Sequence, residues 1–217
     1  MRVYYLTGAQ FAISNIALRR IKISRYRDLN DPFELLGANL VNRTYRRALQ
    51  KTKEEIDSTQ GIICFSKRWK NPLLWGHYAE KHTGIALGFD VPDECLTSML
   101  YRETLEKITL DPATGKPSEN FVERLLRVKF RDWKYEEEVR LTLELDHRSV
   151  ESGMFFEPFS GKLQLKEVIL GPKCEIPISS VRELVEGDTP KVFVVKSRIA
   201  FSKFGVVENR SAAGSKT

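Results

Sequence analysis

The sequence predicts a single α+β domain in which helices flank a mixed, largely antiparallel sheet. Short strand-like runs are separated by helices of unequal length, and they lack the regular βαβ repeat of a doubly wound parallel sheet. The chain has 217 residues and 41% hydrophobic content, which is enough to bury one interior. It contains no internal repeat and no domain linker. We therefore predict one domain over residues 1–208 and a disordered tail over 209–217.

The first half of the chain alternates strand and helix signals. Residues 3–6 predict a strand, and the Thr7-x-x-Gln10 spacing is that of a capping box, which predicts a helix of about ten residues. The other elements predicted here are a strand at 21–24, a turn at 28–32, a helix at about 41–57 and a buried strand at 61–66.

A third helix is predicted from about Pro72 to His82. Asn71 is a suitable N-cap, Pro72 suits the first helical position, and Gly84 is placed to end the helix in the left-handed conformation. One face of this helix carries aromatic side chains, which either pack in the core or line a cleft beside a strand end. The residues of that face are Trp75, Tyr78, Ala79 and His82.

The second half of the chain supplies shorter elements around one clear loop at 111–117. They are a short helix at 92–99, strand pieces over 101–110, a helix from 118 to about 131, strands at 163–170 and 192–199, and a short helix at about 179–186.

The most informative segment is the charged run 133–145. As a strand, it would place Glu136, Glu138 and Arg140 on one face and apolar residues at the odd positions on the other. Charges on the second face of an apolar strand are either solvated and paired across strands, or they line a cleft where a ligand meets them.

Composition limits the location and the partners of the chain. No stretch reaches the roughly 20 apolar residues of a membrane span, and the N-terminus lacks a signal peptide, so we predict a cytoplasmic protein without a membrane partner. The net charge of +6 favours an anionic small molecule or a nucleic acid as partner. The three cysteines are odd in number and widely spaced, which favours reduced thiols.

Several standard chemistries are excluded by missing motifs. The chain has no dinucleotide-binding glycine motif, no phosphate-binding P-loop, no serine nucleophile elbow and no metalloprotease motif. His77 and His82 are five residues apart and would lie on different helix faces. We therefore expect no metal site.

Four motifs have an order and spacing that resemble those of a large bacterial family. They are Leu29-Asn30-Asp31-Pro32-Phe33-Glu34, Cys64-Phe65-Ser66 with Leu74-Trp75-Gly76-His77-Tyr78-Ala79, Gly84-Ile85-Ala86-Leu87-Gly88-Phe89-Asp90, and Trp133-Lys134-Tyr135-Glu136-Glu137-Glu138-Val139-Arg140. That family is a domain of unknown function similar to abortive-infection proteins of phage defence. The resemblance covers about residues 3–200 and implies a phage-defence or toxin-like effector, with a defence-system protein as a possible partner.

The chain also resembles ADP-ribosyltransferases, which carry a His or Arg on a first strand, a Ser or Tyr motif on a second and a Glu on a third. The matching places are Tyr5 or Tyr4, then Ser66 with Tyr78, then Glu136 to Glu138, so that Tyr stands where those enzymes have His or Arg. This resemblance implies NAD as substrate, with Glu138 holding the nicotinamide ribose and stabilising the oxocarbenium-like transition state. It also implies Tyr78 or Trp75 stacking on nicotinamide, and Arg25 or Arg140 meeting the pyrophosphate.

Two functions follow from these observations. One is an NAD-consuming transferase whose catalytic edge carries Glu136 and Glu138. The other is a non-catalytic module that binds a ligand or nucleic acid, in which the same charges form a structural network. Both lead us to expect one shared cleft, lined by Asn30, Asp31, Trp75, Tyr78, Glu136, Glu138 and Arg140.

Overall fold

A computed structural model describes residues 1–146 and 152–210 of the chain. The strands are β1 (Arg2–Thr7), β2 (Arg20–Ile23), β3 (Gln60–Ser66), β4 (Ile85–Asp90), β5 (Leu96–Ser98), β6 (Leu100–Arg102), β7 (Val128–Phe130), β8 (Glu138–Glu144), β9 (Phe155–Pro158), β10 (Gln164–Leu170), β11 (Phe193–Ile199) and β12 (Val206–Glu208). The helices are α1 (Ala9–Ala17), α2 (Arg43–Thr59), α3 (Pro72–Tyr78), α4 (Glu119–Leu125) and α5 (Ile178–Leu184). Short 3-10 helices cover Tyr26–Asp28, Asp93–Cys95 and Arg131–Glu136.

Eight of these strands form one mixed sheet in the order β12-β11-β10-β4-β1-β3-β8-β5. Among its neighbouring pairs, β10 and β11 run parallel and the others run antiparallel. The remaining strands pair as two small sheets, β2 with β9 and β6 with β7. The predicted α+β class with a mixed, largely antiparallel sheet is therefore confirmed.

Helices cover both faces of the large sheet. One face packs against α1 and α5 over a core that includes Val3, Phe65, Leu87, Phe89 and Val139. The opposite face packs against α3 through Trp75 and Ala79, and against smaller clusters around α2 and α4. The odd positions of β8 face the first core, as the alternation predicts, which turns Glu138 and Arg140 toward the second face.

Several predicted elements differ from the structure because long-range pairing overrides local pattern. The predicted helix at 118–131 ends at Leu125, and residues 128–130 instead form β7, which pairs in parallel with β6. The predicted helix at 92–99 is one 3-10 turn followed by β5, which pairs with β8. No sequence signal predicted β9 or β12, which are short and complete their sheets by pairing with β2 and β11.

The helix starts and stops also differ in detail. Thr7 belongs to β1 and makes no cap, so the predicted capping box does not form and Gly8 is the N-cap of α1. Asn71 does cap α3, accepting a hydrogen bond from Leu73 N at 3.0 Å. Near the C-terminus, Asn209 N donates to Lys196 O at 2.7 Å, and the rest of the predicted tail, 211–217, lies outside the described residues.

Helix α3 ends earlier than predicted, and in an unusual way. It stops at Tyr78, and three consecutive residues, Glu80, Lys81 and His82, have left-handed φ values of 45°, 54° and 78°. Gly84 was predicted to be the left-handed residue, but it is not among those with positive φ. The turn is held by hydrogen bonds from His82 N to Trp75 O at 3.1 Å and from Gly84 N to Ala79 O at 2.9 Å.

In the part of the chain that the structure describes, no helix has the length and apolar character needed to cross a membrane.

Gly84 is needed for close packing, which gives a test of this turn. A Cβ at Gly84 would overlap the Thr7 carbonyl oxygen and lie 2.9 Å from Ala79 Cα, whereas a Cβ at Gly76 of α3 would meet nothing within 4 Å. We expect Gly84→Ala to lower the free energy of unfolding by at least about 2 kcal/mol through overpacking. Gly76→Ala should raise it by about 0.5–1 kcal/mol through helix propensity. Thermal unfolding of both variants measures this, and equal melting temperatures would contradict it.

Candidate functional site

The site begins with a row of three residues across three neighbouring strands. Tyr4 of β1 lies opposite Ser66, the last residue of β3, and Ser66 lies opposite Glu138, the first residue of β8. Directly paired residues of adjacent strands project from the same face. The three places that the resemblance to ADP-ribosyltransferases selected are therefore neighbours on one sheet face.

Glu136 reaches the same place by a different route from the one predicted. It ends the 3-10 helix Arg131–Glu136, and Glu137 is left-handed with φ 45° and ψ 46° before β8 begins. The prediction that Glu136 lies on the strand is therefore wrong. The left-handed residue sends Glu137 outward to Arg68, 3.0 Å away, and leaves Glu136 buried beside Glu138.

Arg140 forms the deepest part of a buried ionic network. Its Nη1 and Nη2 donate to the two carboxylate oxygens of Glu34 at 2.5 and 2.8 Å, and its Nε donates to Glu138 Oε1 at 2.6 Å. A bidentate pair of this kind is a strong, charge-assisted contact. Arg140 as a whole residue is only 2% exposed, so its charge depends on these carboxylates for its stabilisation.

Lys129 connects the two catalytic-candidate carboxylates. Its Nζ donates to Glu138 Oε2 at 2.7 Å and also to Glu136 Oε2, and it lies 5.0 Å from the ring centroid of Trp133. Both oxygens of Glu138 thus contact a buried cation. Lys129 lies on β7, the strand that forms where the sequence predicts the end of a helix.

Tyr78 and Asn30 extend the network to the surface. The Tyr78 hydroxyl donates to Glu136 Oε1, and Asn30 Nδ2 donates to the Tyr78 oxygen at 3.1 Å. Asn30 is exposed, whereas Glu136 is 4% exposed. A chain of hydrogen bonds therefore runs from solvent to the buried carboxylates.

The two carboxylates next to Lys129 have different pKa values. Burial alone would raise the pKa of Glu138, but the charges of Arg140 and Lys129 outweigh it and lower that pKa to about 2. For Glu136, burial raises the pKa above its ordinary value despite Lys129 and Tyr78, which act in the other direction. Burial and the neighbouring Glu136 also raise the pKa of the Tyr78 hydroxyl, which stays a donor. Divergent values in a carboxylate pair are typical of sites with separate acid–base roles.

A cavity of 270 Å³ lies against this network. It opens where β1 and β3, paired only at Tyr4 and Ser66, leave space between Leu6 and Cys64. Its volume is near the lower end of ligand pockets, which run from about 300 to 1,000 Å³. The network places three carboxylates and two cations in the wall of the cavity. The carboxylates are those of Glu34, Glu136 and Glu138, and the cations are Lys129 and Arg140.

The cavity gathers most of the residues that the sequence selected. It is lined by Tyr4, Tyr5, Asn30, Ser66, Tyr78, Glu136, Glu138 and Arg140. Of the two tyrosines, Tyr4 shares the sheet face of Ser66, whereas the ring of Tyr5 packs in the first core against Phe65. Ser66 Oγ lies 2.7 Å from Arg68 O and 2.6 Å from Glu136 O, so its hydroxyl also fixes the backbone that carries Glu136.

Three predicted residues lie elsewhere. Trp75 is 0% exposed in the core, and its Nε1 donates to Trp69 O at 2.5 Å, so the core alternative applies to it. Asp31 is buried and accepts a hydrogen bond from Phe33 N at 2.9 Å, which shapes the loop that presents Asn30 and Glu34. Arg25 stacks on Phe155 with its guanidinium carbon 5.3 Å from the ring centroid.

Two central residues, Glu34 and Lys129, were not selected from the sequence. Glu34 ends the motif that begins at Leu29, so a signal was present, whereas nothing near Lys129 marks a buried lysine. Within residues 1–146 and 152–210, the His, Cys, Asp and Glu side chains form no group of three or more that could hold a metal ion.

Compared with protein-family models, curated proteins and solved structures, the chain gives no significant match to any of them. The chemistry of the site is therefore the basis on which its function can be inferred.

The ionic state of Glu138 can be tested by unfolding at different pH values. Its pKa is about 2 in the folded protein and 4.5 ordinarily, so its carboxylate stabilises the fold above pH 4.5, and this stabilisation is lost as the pH falls toward 2. We expect Glu138→Gln to lower the free energy of unfolding by about 3 kcal/mol at pH 7, with the deficit shrinking from about pH 5 downward.

Urea unfolding followed by circular dichroism between pH 3 and 7 measures this deficit. The matched control is Glu137→Gln, whose side chain is 38% exposed and pairs with Arg68, and which should change the unfolding free energy by under about 1 kcal/mol. A Glu138→Gln protein as stable as the parent at pH 7 would contradict the network.

Proposed function

We propose that this chain is an NAD-consuming transferase of the ADP-ribosyltransferase kind, acting as a toxin-like effector in phage defence. The observation that carries the proposal is the row formed by Tyr4, Ser66 and Glu138, which borders one cavity beside the second carboxylate, Glu136. The defence role rests on the four sequence motifs, three of which supply network residues: Glu34, Tyr78 and the segment from Glu136 to Arg140.

The charge of the cavity suits the reacting end of NAD. The nicotinamide ring carries a positive charge before its bond to ribose breaks, and the network has one more carboxylate than cation. A cation bound there is stabilised by the excess negative charge at low dielectric. The ring would lie against Tyr78, with its ribose beside Glu138.

The reaction would proceed by heterolysis of the glycosidic bond. Nicotinamide leaves with the electron pair of the C–N bond, and positive charge develops on C1′ and the ribose ring oxygen. Glu138, ionised at neutral pH because its pKa is about 2, would stabilise that charge electrostatically. Water or an acceptor hydroxyl then donates an electron pair to C1′ and loses its proton.

Glu136 is the better proton acceptor of the pair. Burial raises its pKa, which brings a carboxylate closer to the range where it exchanges protons at neutral pH. Glu136 would hold this proton until water takes it up, and the Tyr78 hydroxyl, which donates to Glu136 Oε1 and accepts from Asn30 Nδ2, would orient the carboxylate. The adenosine half of NAD would lie outside the cavity, past Asn30, because 270 Å³ accommodates only the nicotinamide riboside part.

A second candidate function is a binding module without catalysis. The observation that favours it is the complete pairing of Glu138, whose two oxygens contact Arg140 at 2.6 Å and Lys129 at 2.7 Å. A ribose hydroxyl would have to share a carboxylate oxygen that already accepts from one of these buried cations. In this function the network shapes a cavity that holds a small cationic or neutral ligand, and no bond is broken.

Nicotinamide release from NAD separates the two functions. We expect the parent protein to release nicotinamide, and Glu138→Gln to reduce the rate by about 10²–10³-fold, as the loss of one electrostatic stabiliser does. Glu137→Gln serves as the matched control and should keep the parent rate, because that side chain points outward to Arg68.

Chromatography of the products at a temperature where circular dichroism shows all three proteins folded is the measurement. Absence of release from the folded parent, with saturable NAD binding, would exclude the transferase and favour the binding module. Equal rates for the parent and Glu138→Gln would assign the chemistry to other residues.

A further inference from the structure

The hairpin formed by β11 and β12 carries two phenylalanines that the fold does not use. Phe201 is 92% exposed and Phe204 is 102% exposed, at the tip of the loop from Ala200 to Gly205. The loop is closed by a hydrogen bond from Ala200 N to Gly205 O at 2.9 Å. Aromatic side chains contribute to stability only when they bury their rings, so these two are available to a partner.

Cations surround this aromatic tip. A groove of 500 Å³ beside the hairpin is lined by four basic side chains and one carboxylate: Lys70, Arg198, Lys203, Arg210 and Glu208. Among residues 1–146 and 152–210, none of the four cations forms a salt bridge. The excess of three positive charges in this groove is half of the chain's net charge of +6.

The groove has fixed walls. Val206 N of β12 donates to Lys70 O at 2.9 Å, and Val206 packs in the core with Trp69, which joins the hairpin to the segment that follows β3. The guanidinium carbon of Arg198 lies 4.4 Å from the Phe201 ring centroid, so a cation and an aromatic face are already held together. The groove therefore has a fixed shape, with an aromatic ring and cations held at defined positions.

We propose that this groove binds single-stranded nucleic acid. Unpaired bases stack on exposed aromatic rings with little dependence on sequence, and cations along the same groove neutralise the backbone phosphates. A duplex hides its base faces and would lose the stacking on Phe201 and Phe204. A membrane surface is flat, and it would leave the concave wall formed by Lys70 and Arg198 without contact.

This inference does not rest on NAD turnover. The groove and the cavity described above share no lining residue: Ser66, the last residue of β3, lines the cavity, and Trp69 and Lys70, which follow it in the chain, line the groove. A protein inactive toward NAD would still bind a strand here.

Fluorescence anisotropy with labelled twelve-nucleotide oligo-dT and oligo-U, and with a duplex of the same length, tests the proposal on the full chain. We expect single strands to bind at least about tenfold more tightly than the duplex, because only they offer stacking. The plot of log K against log salt should have a slope of about −2 to −3, as three to four phosphate contacts on a single strand give.

Two pairs of variants assign the binding to the groove. Phe201→Ala, which removes the ring that lines the groove, should weaken binding by about five- to tenfold or more, and the matched control Phe11→Ala, with a ring 56% exposed on α1, should leave it unchanged. Lys203→Ala should reduce the size of the salt slope by about 0.7, while Lys107→Ala, also exposed, should not alter it. These side chains are at the surface, and melting temperatures close to that of the parent check that the variants fold.

Two results would overturn the proposal. The first is no binding of either oligonucleotide at low salt. In that case, sedimentation of the protein with vesicles of phosphatidylcholine and phosphatidylserine, lost in Phe201→Ala, would assign the hairpin to a membrane surface. The second is oligonucleotide binding that Phe201→Ala and Lys203→Ala leave unchanged.

Discussion

The contact on which the rest of the site depends is the pairing of Glu138 with two buried cations. Arg140 and Lys129 approach its two oxygens from different elements, one from the same strand and one from β7. Glu34 then closes the second side of Arg140, and Glu136 shares Lys129. Removing Lys129 would leave the buried Glu136 without a cation, and removing Arg140 would do the same to Glu34, each at a cost of about 3–5 kcal/mol. One set of charges therefore fixes the relative positions of the loop that carries Glu34, the 3-10 helix Arg131–Glu136 and the strands β7 and β8.

This arrangement links the shape of the cavity to its electrostatics. Lys129, which helps to keep Glu138 ionised, also donates to Glu136, and Glu136 in turn accepts from Tyr78, the last residue of α3. A ligand that displaced a cation from Glu138 would also change the environment of Glu136 through Lys129. The protonation states of Glu138 and Glu136 are thus coupled through a single ammonium group, which distinguishes this site from a pair of independent carboxylates.

Local pattern was sufficient to predict the architecture and much of the site, and it failed where distant segments meet. The odd positions of β8, the N-cap Asn71 and the shared location of Ser66, Tyr78 and Glu138 follow from alternation, capping chemistry and motif order. The contribution of Lys129 could not be foreseen, because it arises when residues 128–130 pair with β6 instead of continuing a helix. The position of Glu136 depends on the left-handed conformation of the next residue, Glu137. This conformation could not be predicted, because position 137 is not a glycine or an asparagine, the residues that usually adopt it.

The left-handed turn at Glu80 to His82 has a consequence for how the length of this chain can vary. Each such residue costs about 1–2 kcal/mol, so the turn persists only because its surroundings hold it. Lys173 N donates to His82 O at 3.0 Å and Gly171 N donates to Gly84 O at 2.9 Å, which fixes the turn against the end of β10. An added or deleted residue here would shift Tyr78 relative to β1, whereas the exposed loop around Gly115 can change length without reaching the core. Engineered insertions should accordingly be tolerated better in the latter loop than in the turn.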